Sequence, residues 1–168
     1  NQKPVLKKCI DSLLKLTTYD PYEILIVNNN SDEPEVFDYF HELSLNSNIR
    51  VIDYPKPFNY SAINNFAVKE SRGSVVCLLN NDIEIIDGEW LTEMVSLAIR
   101  SKTGAVGAKL FYPDGLIQHA GVILGIGGVA GHAYLLKDSN YPGQMGRALL
   151  TQNYSAVTAA CMVVEKKK

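Results

Sequence analysis

Three short apolar runs, at residues 23–27, 49–53 and 74–79, alternate with segments whose apolar residues recur at helical spacing. That alternation restricts the chain to α/β folds built on a parallel sheet. Val5, Leu6, Cys9, Ile10, Leu13 and Leu14 share one face of a first helix. Pro4 suits its opening turn, where a missing N–H costs nothing. After a Tyr19-Asp20-Pro21-Tyr22 turn, the run at 23–27 has the continuous apolar character of a strand buried on both faces. Further helices are predicted over 33–45, 60–71 and 90–100, with Gly73 placed to end the 60–71 helix in a left-handed conformation. Beyond Gly104 the texture changes to glycine-rich, β-branched segments at 105–111, 116–124 and 156–164. The pattern predicts a single domain in which a parallel α/β half, residues 1–100, continues into a mixed or antiparallel extension, residues 101–168.

Bulk properties narrow the partners. A chain of 168 residues, 46% hydrophobic and 20% charged, can bury an ordinary globular core. Its formal net charge of −2 argues against nucleic acid or an anionic membrane surface as a partner. Cys9, Cys77 and Cys161 form no CxxC or CxxH pattern, which speaks against a zinc site or a disulfide framework and fits a reducing cytoplasm. No apolar run reaches the roughly 18 residues of a membrane span.

Ligands of open α/β sheets bind beyond the carboxyl ends of the strands, and two strands here end in polar clusters. Asn28-Asn29-Asn30-Ser31-Asp32 offers amides and a carboxylate suited to a base edge and ribose hydroxyls. Asn80-Asn81-Asp82-Ile83-Glu84 places Asn80, Asp82 and Glu84 on one face if the chain stays extended, and oxygen donors at that spacing suit one hard cation. Asn and Asp are also common loop formers. The case for a site therefore rests on two such clusters closing successive strands of one sheet.

Three segments in order, Glu23-Ile-Leu-Ile-Val-Asn-Asn-Asn-Ser31, Asn59-Tyr-Ser-Ala-Ile-Asn-Asn65 and Leu79-Asn-Asn-Asp-Ile-Glu84, resemble the family 2 glycosyltransferases. Val106-Gly-Ala-Lys-Leu110, Tyr112-Pro-Asp-Gly115, Gln118-His-Ala-Gly121, Gly131-His132 and Thr158-Ala-Ala-Cys161 are similar to the bacterial polysaccharide, O-antigen branch of that family. The resemblance covers nearly the whole chain. It implies a GT-A fold and an inverting transfer from a nucleotide-diphospho-sugar to a saccharide or lipid-linked saccharide acceptor. It also implies a cytoplasmic setting, with association at the inner face of the membrane. Asn28, Asn29 and Ser31 fall where the family contacts the nucleoside, and Asn80, Asn81 and Asp82 fall on its diphosphate-binding tripeptide. Asp82 and Asn80 take the two outer positions that would hold Mg²⁺ or Mn²⁺. His119 and His132 fall on the acceptor side.

Two departures from the family pattern stand out. Asn28 and Asn80 each replace an aspartate, which leaves Asp82 as the one firm anionic metal ligand. The family's first strand is expected to precede residue 1, with Asn1 as its last residue. Its acidic general base is expected to follow Lys168, so the 168 residues alone are expected to be weakly active at most. A non-catalytic nucleotide-sugar or partner-binding module and a nucleotidyltransferase are the alternatives. Gly125-Ile-Gly-Gly-Val-Ala130 fits a dinucleotide fingerprint by letter, but it lacks a following helix and a ribose-binding acid, so it reads as a glycine loop. Trp90 reads as a helix anchor and Arg147 as a solvated side chain.

Overall fold

In the computed structural model, which describes residues 3–168, helix α1 (Lys3–Leu16) forms on its apolar spacing and buries Cys9, Ile10 and Leu13. The expectation for Asn1 lies outside the described residues. Strand β1 (Ile24–Asn28) runs parallel to β2 (Ile49–Asp53), in a register that sets Ile24 against Ile49 and Asn28 against Asp53. Helix α2 (Pro34–Ser44) makes the crossover a parallel pair requires. Pro34 opens it at a position where no N–H is missed, and Val36, Tyr39, Phe40 and Leu43 are buried at helical spacing. Each such side chain contributes about 1.5–3 kcal/mol on burial. Asn59 caps α3 (Tyr60–Glu70), its side chain accepting the Ala62 N–H at 3.0 Å.

Two compact units make up the chain. One comprises the described residues up to Val76, with Asn81–Glu93 and Glu165–Lys168, and holds α1, the β1–β2 pair, α2 and α3. The other comprises Cys77–Asn80 and Met94–Val164. Strand β3 (Val75–Leu79) passes from the first unit into the second, as does helix α4 (Trp90–Ala98).

The second unit is built from short strands. β4 (Val106–Gly107) pairs antiparallel with β9 (Cys161–Glu165), and the sheet order is β3-β9-β4. β5 (Leu110–Phe111) pairs antiparallel with β6 (Ile117–His119), and β7 (Val122–Leu124) with β8 (Ala130–His132). The predicted change from parallel α/β to a mixed extension is therefore present, broken into shorter strands than the apolar runs suggested. The β7–β8 hairpin is closed by the glycine loop itself, with the Gly125 N–H donating to Val129 O at 2.9 Å. At the core of this unit Ile117, His119, Cys161 and Val163 are almost wholly buried.

Among the described residues, no helix is long and apolar enough to cross a membrane.

Candidate functional site

At the carboxyl end of β1 the amide side chains organise the loop that follows. Asn28 is buried; its Nδ2 donates to Asp53 Oδ1 at 2.8 Å and its Oδ1 accepts the Ser31 N–H at 3.0 Å. Asn29 donates to the carbonyls of Tyr54 and Lys56, both at 2.8 Å, and Asn30 donates to Lys56 O at 3.1 Å from a left-handed backbone. Residues 28–31 are thereby tied to residues 53–56, and the three amide donors read from the sequence as ligand groups are engaged in that tie. The loop carries the half-buried Ser31 and the exposed Asp32, and the exposed Asp53 ends β2 beside it. Tyr54 packs against Phe66 of α3 at 5.3 Å between ring centroids, while Phe58 is 77% exposed. Sequence reasoning treated Asp53 as a strand end only. Its exposed carboxylate, opposite Asn28, is a candidate it missed, legible only from the register of β1 on β2.

The second cluster does not continue as an extended strand. β3 ends at Leu79, and Asn81 and Asp82 form an exposed turn. Distant partners pin the chain beyond that turn: the Ile85 N–H donates to Ser12 Oγ at 3.0 Å, and Glu84 pairs with Lys8 at 2.7 Å. Glu84 is therefore directed to α1 and does not share a face with Asp82. Asp82 makes no hydrogen bond or ion pair among the described residues. In the second unit the half-buried Asn80 donates its backbone N–H to Ala160 O at 2.9 Å, which fixes the end of β3 to the Thr158-Ala-Ala-Cys161 segment. No group of three or more His, Cys, Asp or Glu side chains is arranged to hold a metal among the described residues.

The two histidines, 13 residues apart, meet in the second unit. His119 Nδ1 lies 2.8 Å from His132 Nδ1, with the rings edge to face at 82°. His119 is 1% exposed, and burial, with a smaller contribution from His132, pushes its pKa down from 6.5 to about 4. Both rings line a cavity of about 220 Å³, together with Leu110, Tyr112, Gln118 and Thr158.

Other polar side chains take structural roles. Trp90 Nε1 donates to Thr17 Oγ1 at 3.0 Å, anchoring the start of α4. Arg147 Nε donates to Gln152 Oε1 at 3.0 Å, and Gln152 returns a bond to the Arg147 carbonyl. Lys109 Nζ donates to Ser139 O and Ala148 O, both at 3.2 Å, and burial lowers its pKa.

A parallel α/β half with polar strand ends, extended by antiparallel strands, is the architecture of a GT-A domain. The chain belongs to glycosyl transferase family 2, whose model matches residues 1–167. It is similar to Uncharacterized protein y4gI of Sinorhizobium fredii, 49% identical over 164 residues, and to O-antigen biosynthesis protein RfbC of Myxococcus xanthus, 40% identical over 164 residues. Each match covers 97% of this chain but only 18% and 13% of the respective relative, so the chain spans less than a fifth of the length of these curated relatives.

Proposed function

We propose that this domain binds a nucleotide-diphospho-sugar and passes its sugar, with inversion, to a hydroxyl of a saccharide or lipid-linked saccharide. The setting would be polysaccharide assembly on the cytoplasmic side of a membrane. The observation that carries the proposal is the match to the family across the chain's length, together with an exposed carboxylate at Asp82, in the turn after β3, that makes no hydrogen bond or ion pair among the described residues.

The 28–32 loop and the adjoining 53–58 segment take the nucleoside. With the amides of Asn28, Asn29 and Asn30 holding the loop in shape, the Ser31 hydroxyl and the Asp53 carboxylate are the groups suited to ribose or base edges. Asp82 and the amide oxygen of Asn80 are hard donors with a single negative charge between them. Such a pair fits Mg²⁺ or Mn²⁺ completed by diphosphate oxygens and water, and does not fit an all-protein cage. A cation held by Asp82 and Asn80 would supply positive charge against that developing on the departing diphosphate. Asn81 lies beside the diphosphate. His119 and His132 serve the acceptor side through the cavity they line.

Titration calorimetry with UDP-, GDP- and dTDP-sugars, with and without Mn²⁺, tests this reading. At least one donor should bind in a metal-dependent way, and Asp82→Ala should abolish that dependence. Wild-type affinity in the variant would overturn the metal assignment, and no binding of any donor would overturn the reading as a whole.

A further inference from the structure

The hydrogen bonds around His119 determine where the protons of both histidines sit. Its Nε2 lies 3.3 Å from the Gly121 N–H and 3.4 Å from the Thr158 N–H. Backbone N–H groups only donate, so Nε2 accepts and carries no proton. The single proton of a neutral His119 is then on Nδ1, 2.8 Å from His132 Nδ1, which must accept it. A neutral His132 that accepts at Nδ1 carries its own proton on Nε2. His132 is exposed and lines the cavity, whereas His119 is enclosed.

The surroundings support this chain of bonds. Gly121 holds φ +112, and a Cβ there would come within 2.2 Å of the Tyr154 ring, so only glycine delivers its N–H to His119. The Gly121 carbonyl accepts the Ala133 N–H at 2.9 Å, which holds the residue after His132 against the same corner. Burial keeps His119 neutral, and the other titratable side chains lining the cavity are His132 and Tyr112.

We propose that His119 is a positioning residue that locks His132 in its Nε2–H tautomer, so that His132 presents a neutral N–H donor to an uncharged oxygen of the acceptor saccharide. The ligand assignment rests on the acceptor-side reading above; the tautomer lock rests on the geometry alone. With its Nδ1 accepting from His119, His132 has only its Nε2–H to offer a ligand, so the network presents a single donor to the cavity.

Imidazole ¹⁵N NMR of the protein tests the lock directly. The expected spectrum has His119 protonated at Nδ1 only and His132 at Nε2 only. His119→Asn, whose amide can still donate to His132, should preserve the His132 signature, and His119→Leu should release it into a mixture of tautomers. A proton on His119 Nε2 in the wild type overturns the proposal whether or not the variants fold, as does an unchanged His132 signature in a folded His119→Leu. Methyl glycosides of glucose, galactose, mannose, rhamnose and N-acetylglucosamine probe the ligand class. A shift of the His132 Nε2–H resonance with at least one supports it, whereas no shift with any, or a response to inorganic phosphate alone, overturns it. Because the nucleotide-sugar titration reads Asp82 and not this cavity, failure of the donor reading would leave the tautomer result standing, and the reverse also holds.

Discussion

Asn28 donates its side-chain amide to the Asp53 carboxylate at 2.8 Å, across the carboxyl ends of two parallel strands. The same side chain accepts the Ser31 N–H, so one buried amide joins the strand pair to the candidate nucleoside loop. An aspartate could keep the second bond but would set two carboxylates against each other. Asn28→Asp should therefore cost about 1–3 kcal/mol at low ionic strength and neutral pH, with part of the loss screened by salt. Urea unfolding at low and at high salt checks this, and an equal loss at both would rule out charge repulsion as the cause.

Gly121 combines a left-handed backbone with contact against the Tyr154 ring, whereas Gly115 has φ +84 and nothing within 4 Å of a built Cβ. Gly121→Ala should cost about 3 kcal/mol or more and disturb the His119 contact. Gly115→Ala should cost only the backbone strain, about 1 kcal/mol. Thermal unfolding of the pair separates steric from conformational cost; similar losses would refute the packing described around Gly121.

The Tyr39 hydroxyl is buried without a hydrogen-bond partner among the described residues, and the ring is 2% exposed. Burial first, then Asp11, Glu42 and Cys9, push its pKa up to about 12. Tyr39→Phe keeps the ring and removes an unpaired polar atom, so stability should be unchanged or rise by about 1 kcal/mol. A clear loss in chemical denaturation would reveal a partner for the hydroxyl.

His119 gives a stability dependence in mild acid. Its pKa in the fold is about 4 against 6.5 for a free imidazole, so the unfolded chain binds the proton first as pH falls. The contribution is fully present above about pH 6.5 and is lost progressively toward pH 4, reaching roughly 3 kcal/mol. Denaturant midpoints across that window should fall less steeply for His119→Leu than for the wild type. Parallel curves would show that His119 is not held neutral by the fold.

The sequence by itself determined the helices and strands of the first hundred residues and the change of texture beyond Gly104, whereas it placed all three apolar runs in one parallel sheet and β3 instead joins β9 and β4. Those signals are local: Val36, Tyr39, Phe40 and Leu43 reveal a buried helical face by spacing alone, and the runs before Asn28 and Asn80 reveal strands by continuous apolar character. Ordered motifs along the whole chain also made the family legible. Only the tertiary structure decided how the polar groups are used. Asn28 finds Asp53 through strand register, 25 residues away. The chain after Asp82 leaves the extended path because Ile85 and Glu84 are held by Ser12 and Lys8, far back in α1. His119 and His132 become a pair because two antiparallel corners bring their rings together. Periodicity records which face of an element is buried, whereas a hydrogen bond depends on where a distant partner arrives, and no local spacing encodes that.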